Sequence, residues 1–87
     1  MLQLKIVSPE RVEFEGEVDR VVVPGTLGRF EVLTGHAPII SSLETGHVEF
    51  FINGQSSVLP IAGGLVEVQK DKVSLCVELS ENKESVG

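Results

Sequence analysis

The feature that most constrains this chain is the period of its apolar residues. Leu2, Leu4 and Ile6 alternate with Gln3 and Lys5, and Val66 and Val68 alternate with Leu65, Glu67 and Gln69. No window of ten or more residues carries an apolar stripe at helical spacing. A period of two places every second side chain on one face, which an extended strand can bury and a helix cannot. Composition agrees: nineteen residues are Val or Ile and two are Ala, a balance that favours pleated surfaces. The chain is therefore expected to be all-β. Its 87 residues suffice for one domain, and the apolar filling is thin, with four Phe, no Trp and no Tyr.

Punctuation divides the pattern into short strands. The first run ends at Ser8 and Pro9, where proline removes a ladder donor. Val12 and Phe14 then alternate with Glu13 and Glu15, Gly16 reads as a bulge or bend, and the run from Val18 continues to a turn at Pro24 and Gly25. Gly25, Gly28 and Gly35 flank a short segment, Phe30 to Leu33, ahead of Pro38, Ile39 and Ile40, so loops are expected to dominate there. Glu44 to Gly46 turn the chain into His47 to Ile52. Asn53-Gly54 is a strong hairpin signal, because a type I′ turn needs positive φ at both central residues. Ser57 to Ile61 form the return strand, Gly63 and Gly64 a bend, Gln69 to Lys72 the last tight turn, and Val73 to Leu79 the final strand. Turns at this spacing predict a flattened β-sandwich or barrel of about ten short strands over residues 1–79, followed by a polar tail, 80–87, expected to be disordered. No internal repeat or linker is visible.

Charge and chemistry narrow the function. Seven Lys and Arg against thirteen Asp and Glu give a net charge of −6, a poor match to nucleic acid. The lone Cys76 has no partner for an intramolecular disulfide and points to a reducing compartment. The opening residues alternate rather than form the apolar segment of a signal peptide. The longest apolar runs fall far below the roughly 20 residues of a spanning helix, so no direct membrane insertion is expected. No motif places a nucleophile beside a base, and no catalytic residue is assigned. His36, His47 and Cys76 lack the spacing of a metal site, and Gly25, Gly28 and Gly35 lack the lysine and helix of a phosphate loop. Glu13, Glu15, Glu17 and Asp19 recur every second residue and read as a solvated face. No cofactor or metal is expected. An alternative assigns Lys72, beside Asp71 at a hairpin tip, the role of the modified lysine in lipoyl or biotinyl carrier domains. The segment from Val23 to Leu43 is loop-rich yet apolar, a composition suited to binding another protein.

Within that segment, Val22-Val23-Pro24-Gly25, Gly28-Arg29-Phe30-Glu31-Val32-Leu33 and Gly35-His36-Ala37-Pro38-Ile39-Ile40 resemble the epsilon subunit of bacterial F-type ATP synthase. Leu4 to Glu10, Phe14 to Val18, Leu43 to Gly46, Ile61 to Val68 and Val73 to Leu75 are similar to the family in the same order. The resemblance covers residues 2 to 79 and corresponds to the N-terminal β-sandwich alone. The helical hairpin that follows in longer members, and inhibits ATP hydrolysis there, lies outside the stretch of resemblance, as expected either for a short form of the subunit or for a chain cut at the domain boundary.

The resemblance implies a non-catalytic central-stalk subunit that couples gamma to the c ring and supports ATP synthesis driven by proton or sodium transport. It implies a peripheral position on the cytoplasmic face of the bacterial inner membrane, and a chain that is monomeric when isolated. It places Leu27, Gly28, Arg29, Phe30, Glu31 and Ile40 at the c-ring interface. It places Ser8, Gly35, His36, Ala37, Pro38 and Ser41 at the gamma interface. Glu31 stands where the family usually has Gly and Thr34 where it often has Pro; a Gly position can demand a positive φ that Glu adopts only under strain. An acidic domain complements basic ring loops, with Arg29 as the exception that pairs with an acidic partner.

Overall fold

A computed structural model describes residues 1–80. Its elements are β1 (Leu2–Val7), β2 (Val12–Val18), β3 (Arg20–Gly25), β4 (Gly28–Val32), β5 (Ile39–Leu43), β6 (Gly46–Ile52), β7 (Gln55–Gln69) and β8 (Lys72–Leu79). The strands form one continuous sheet in the order β2-β1-β8-β7-β5-β3-β4, with β6 joining β3 to β7. All pairs are antiparallel except β1 with β8.

The long strand β7 makes this sheet a sandwich. Its first half pairs with β6 from Gln55 to Ile61, and its second half pairs with β5 from Gly64 to Val68. One layer is thus β4-β3-β6 with the start of β7, and the other is β2-β1-β8 with the end of β7 and β5. A single bridge between Gly25 and Leu43 joins β3 to β5. The all-β expectation holds, with eight strands among the described residues; the two runs read around Gly63 and Gly64 are one bent strand. The bend needs glycine. Gly64 has φ +155°, and a Cβ there would collide with the Cys76 carbonyl and lie 2.9 Å from Val77 Cα.

Burial follows the alternation read from the sequence. Leu2, Leu4 and Ile6 of β1 and Val73, Leu75 and Val77 of β8 are buried, as are Val21 and Val23 of β3 and Val66 and Val68 of β7. Each such side chain contributes about 1.5–3 kcal/mol relative to exposure. The layers also meet through Phe14 and Phe50, whose tilted rings lie 4.5 Å apart.

Two local expectations change. Gly16 is no bulge: it stands in register opposite Leu4, and the irregularity lies where Val7 pairs with Val12 and Ile6 with Phe14. The extra residue is Glu13, held by the Ser8 hydroxyl at 2.7 Å and by Arg11 at 3.5 Å. The skipped residue leaves Val12 exposed while Phe14 packs inward. The predicted hairpin at Asn53 and Gly54 forms, with φ of 52° and 80° and Ile52 paired with Gln55. The sandwich assigned to residues 1–79 occupies described chain, whereas the tail beyond Ser80 lies outside the described residues.

Candidate functional site

The residues assigned to the c-ring interface start on the β3–β4 hairpin. Gly25 pairs with Gly28, leaving Thr26 and Leu27 at the tip. Neither takes a positive φ; Gly28 does, at 133°, and returns the chain to the ladder. Leu27 is 101% exposed. The Thr26 N–H donates to the Ser42 carbonyl at 3.0 Å, bringing the tip to the C-terminal end of β5; Ile40, near the start of that strand, is 67% exposed.

The other members of that set point elsewhere. Phe30 packs against the core. Arg29 donates to the His47 carbonyl at 2.8 Å and approaches Glu49 at 3.9 Å, so its charge is engaged within the chain. Glu31 lies in a regular strand opposite Val22, bonded to Arg20, whose guanidinium sits 3.8 Å above the Phe51 ring. The strain anticipated at Glu31 is absent. Only Asn53 and Lys70 take positive φ among described non-glycine residues, so Glu31 does not occupy a left-handed position.

The gamma set is divided. Gly35, with φ 85°, donates its N–H to Asp71 Oδ1 at 3.1 Å, tying this loop to the β7–β8 turn. The His36 N–H donates to the Leu33 carbonyl at 3.0 Å, and its ring Nδ1 bonds the Ala37 carbonyl at 2.7 Å. Pro38 and Ile40 flank Glu67 and Gln69 on the neighbouring strand β7. Ser8 lies at the opposite end, beside Gly64, Cys76 and Val77. Its oxygen accepts the N–H groups of Glu10 and Arg11, each at 3.3 Å. Ser41 is half-buried in phase with Ile39 and Leu43, and its hydroxyl donates to the Ser42 carbonyl at 3.1 Å. Gly35 to Pro38 and Ser8 thus mark diagonal corners of the outer face of the β2-β1-β8-β7-β5 layer.

Across that face runs a row that the sequence reading missed. Val12 pairs with Val7, Val7 with Cys76, and Cys76 with Leu65. Val12 is 49% and Leu65 45% exposed, and Cys76 is exposed. The signal was an apolar residue in the polar phase of its strand: Val7 shares a face with Gln3 and Lys5, Cys76 with Lys72 and Ser74, and Leu65 with Glu67 and Gln69.

Lys72 is not at a hairpin tip. Lys70, with φ 58°, and Asp71 occupy the turn, while Lys72 opens β8 between Gln69 and Gln3. The lysine is held within a ladder on both sides, which removes the geometric basis of the carrier reading. Among the described residues, no group of three or more His, Cys, Asp or Glu side chains converges as a metal site would require. No described helix is long and apolar enough to cross a membrane.

The class this fold defines is an all-β sandwich, here with a projecting hairpin and a partly apolar sheet face. The family model for the ATP synthase delta/epsilon chain, β-sandwich domain, matches residues 1–83. The chain is 41% identical over 76 residues to the ATP synthase epsilon chain of Chlorobaculum tepidum, covering 86% of each. It is 34% identical over 85 residues to that of Leptospira interrogans, covering 98% of this chain and 67% of the relative. It is 39% identical over 83 residues to that of Desulfitobacterium hafniense, covering 95% of this chain and 63% of the relative. This chain therefore belongs to the ATP synthase delta/epsilon family, whose epsilon chain is a non-catalytic subunit, and spans about two thirds of the longer relatives.

Two solved structures share the fold. A chain of the Euglena gracilis mitochondrial ATP synthase, solved with its c-ring, superposes with TM-score 0.83 at 22% identity, covering 87% of this chain and 49% of that one. A chain of the Tetrahymena thermophila central stalk and c-ring gives 0.74 at 14% identity, covering 88% and 63%.

Proposed function

We propose that the chain is a central-stalk rotor subunit of F-type ATP synthase that couples gamma to the c ring at the cytoplasmic face of the bacterial inner membrane. The observation that carries this reading is the family match over residues 1–83. The exposed surfaces support it. A coupling subunit transmits torque and needs two contacts on one stiff body, and the strands here connect the hairpin tip directly to the sheet face. Gamma would pack on the row Val12, Val7, Cys76 and Leu65, framed by Ser8 and by the loop Gly35 to Pro38 with Ser41. The c ring would meet the hairpin tip. An apolar centre with a polar rim is the usual anatomy of a stable protein interface.

The test is gel filtration of the chain mixed with gamma from the same organism. A stoichiometric complex is expected, abolished by Leu65→Glu, weakened by His36→Ala and unaffected by Val58→Glu on the opposite layer. Failure to form a complex at micromolar concentration overturns the reading.

A further inference from the structure

We propose that Glu13 is a positioning residue for the gamma contact: its carboxylate anchors the bulge of β2 that puts Val12, in place of a charge, at the end of the apolar row. The inference rests on the gamma-binding role proposed above and adds to it a residue that lies outside the row.

The register shows what the bulge exchanges. β1 and β2 pair Gln3 with Glu17, Lys5 with Glu15 and Ile6 with Phe14. Continued without interruption, the ladder would set Glu13 opposite Val7, and the carboxylates of Glu13, Glu15 and Glu17 would line the outer face up to the row. The pairing slips by one residue instead, and Val7 faces Val12. Such a slip moves a side chain to the other face. Val12, in core phase with Phe14 and Val18 by alternation, is thereby turned out to 49% exposure. A carboxylate in its place would lose its water whenever a partner covered the row, at a high cost unless it were paired.

Local energetics oppose the slip, because the regular register would restore the ladder and bury Val12. Glu13 holds it in place. Its side chain is only 13% exposed, accepts a hydrogen bond from the Ser8 hydroxyl at 2.7 Å and lies 3.5 Å from Arg11 Nε. Ser8 accepts the N–H groups of Glu10 and Arg11 at 3.3 Å, and its own N–H donates to the Arg11 carbonyl at 2.9 Å. The carboxylate is thus fixed to the β1–β2 turn. The regular register would carry it to the outer face beside Val7 and give up those bonds.

The experiment has two arms. Methyl NMR of the chain alone reads the register: wild type should show contact between the Val12 and Val7 methyls, Glu13→Ala should lose it, and Glu13→Gln, which keeps an acceptor for Ser8, should retain it. Ser8→Ala, which removes the donor to the same carboxylate, is the second variant and should behave as Glu13→Ala. In the other arm, affinity for gamma is measured. Val12→Ser should lose about 3- to 10-fold, the equivalent of covering a half-exposed valine. Glu13→Ala should lose a similar factor, Glu13→Gln should bind close to wild type, and Glu13→Ala should cost nothing more in a Val12→Ser background, because it acts through that side chain. A Glu13→Ala chain that keeps the Val12–Val7 contact or binds gamma like wild type overturns the inference, as does a full further loss in the Val12→Ser background. Failure of wild type itself to bind gamma overturns the coupling reading, and the inference with it.

Discussion

Replacing Gly64 by alanine tests whether the bend of β7 holds the two layers together. Gly64 adopts φ +155°, where an L side chain is strained by about 1–3 kcal/mol. Its new Cβ would meet the Cys76 carbonyl and lie 2.9 Å from Val77 Cα, both backbone atoms of β8. Neither can rotate away, so β8 must shift, a strain of about 1–3 kcal/mol by analogy with overpacked cores. Alanine also restricts the unfolded chain, returning about 0.4–1 kcal/mol. The net expectation is a loss of about 1–6 kcal/mol, a large part of the total stability of a small domain. At about 4–8 °C per kcal/mol, the middle of that range lowers the melting temperature by about 20 °C.

Gly63→Ala is the control. A Cβ there would touch only the Leu43 carbonyl, at an ordinary 3.6 Å. Urea titrations of both variants, followed by circular dichroism, should show a small change for Gly63→Ala and the large loss for Gly64→Ala. Equal midpoints would refute the argument that close approach of β7 to β8 at this one residue fixes the bend.

Other expectations follow from the same geometry. Phe14→Ala removes the ring that packs against Phe50 between layers and should cost about 2–4 kcal/mol in urea unfolding, less than a fully buried Phe because Phe14 is half-buried. Asp71→Ala takes the acceptor from the Gly35 N–H, so hydrogen exchange at Gly35 and His36 should accelerate with little change in global stability. The edge strand β2 carries Glu15 and Glu17 exposed, and their repulsion opposes pairing with a second copy. Glu15→Val with Glu17→Val should produce concentration-dependent association by light scattering, which the wild type should lack at the same concentration.

Strand content was legible because it depends on local alternation. A residue in phase with Leu2, Leu4 and Ile6 must be buried if the chain folds as strands, whichever strands become neighbours. The Asn53-Gly54 turn was legible for the same local reason. The family blocks around Gly28 to Leu33 and Gly35 to Ile40 were legible as a pattern, and they led to the hairpin tip and the loop before β5. What those residues do on the surface was not legible. Phe30 turns into the core, Arg29 and Glu31 are bonded to β6 and β3, and Ser41 is half-buried against its own strand.

The sequence by itself determined the class of fold, the core-facing phase of most strands and the family, because each is written in spacing along the chain. The tertiary structure decided which residues share a surface. Val12, Val7, Cys76 and Leu65 are far apart in sequence and form one row only because β1 lies between β2 and β8, and β8 between β1 and β7. The bulge at Glu13 and the continuity of β7 through Gly64 are likewise products of pairing register. Register is set by long-range contacts between strands, which no local pattern encodes.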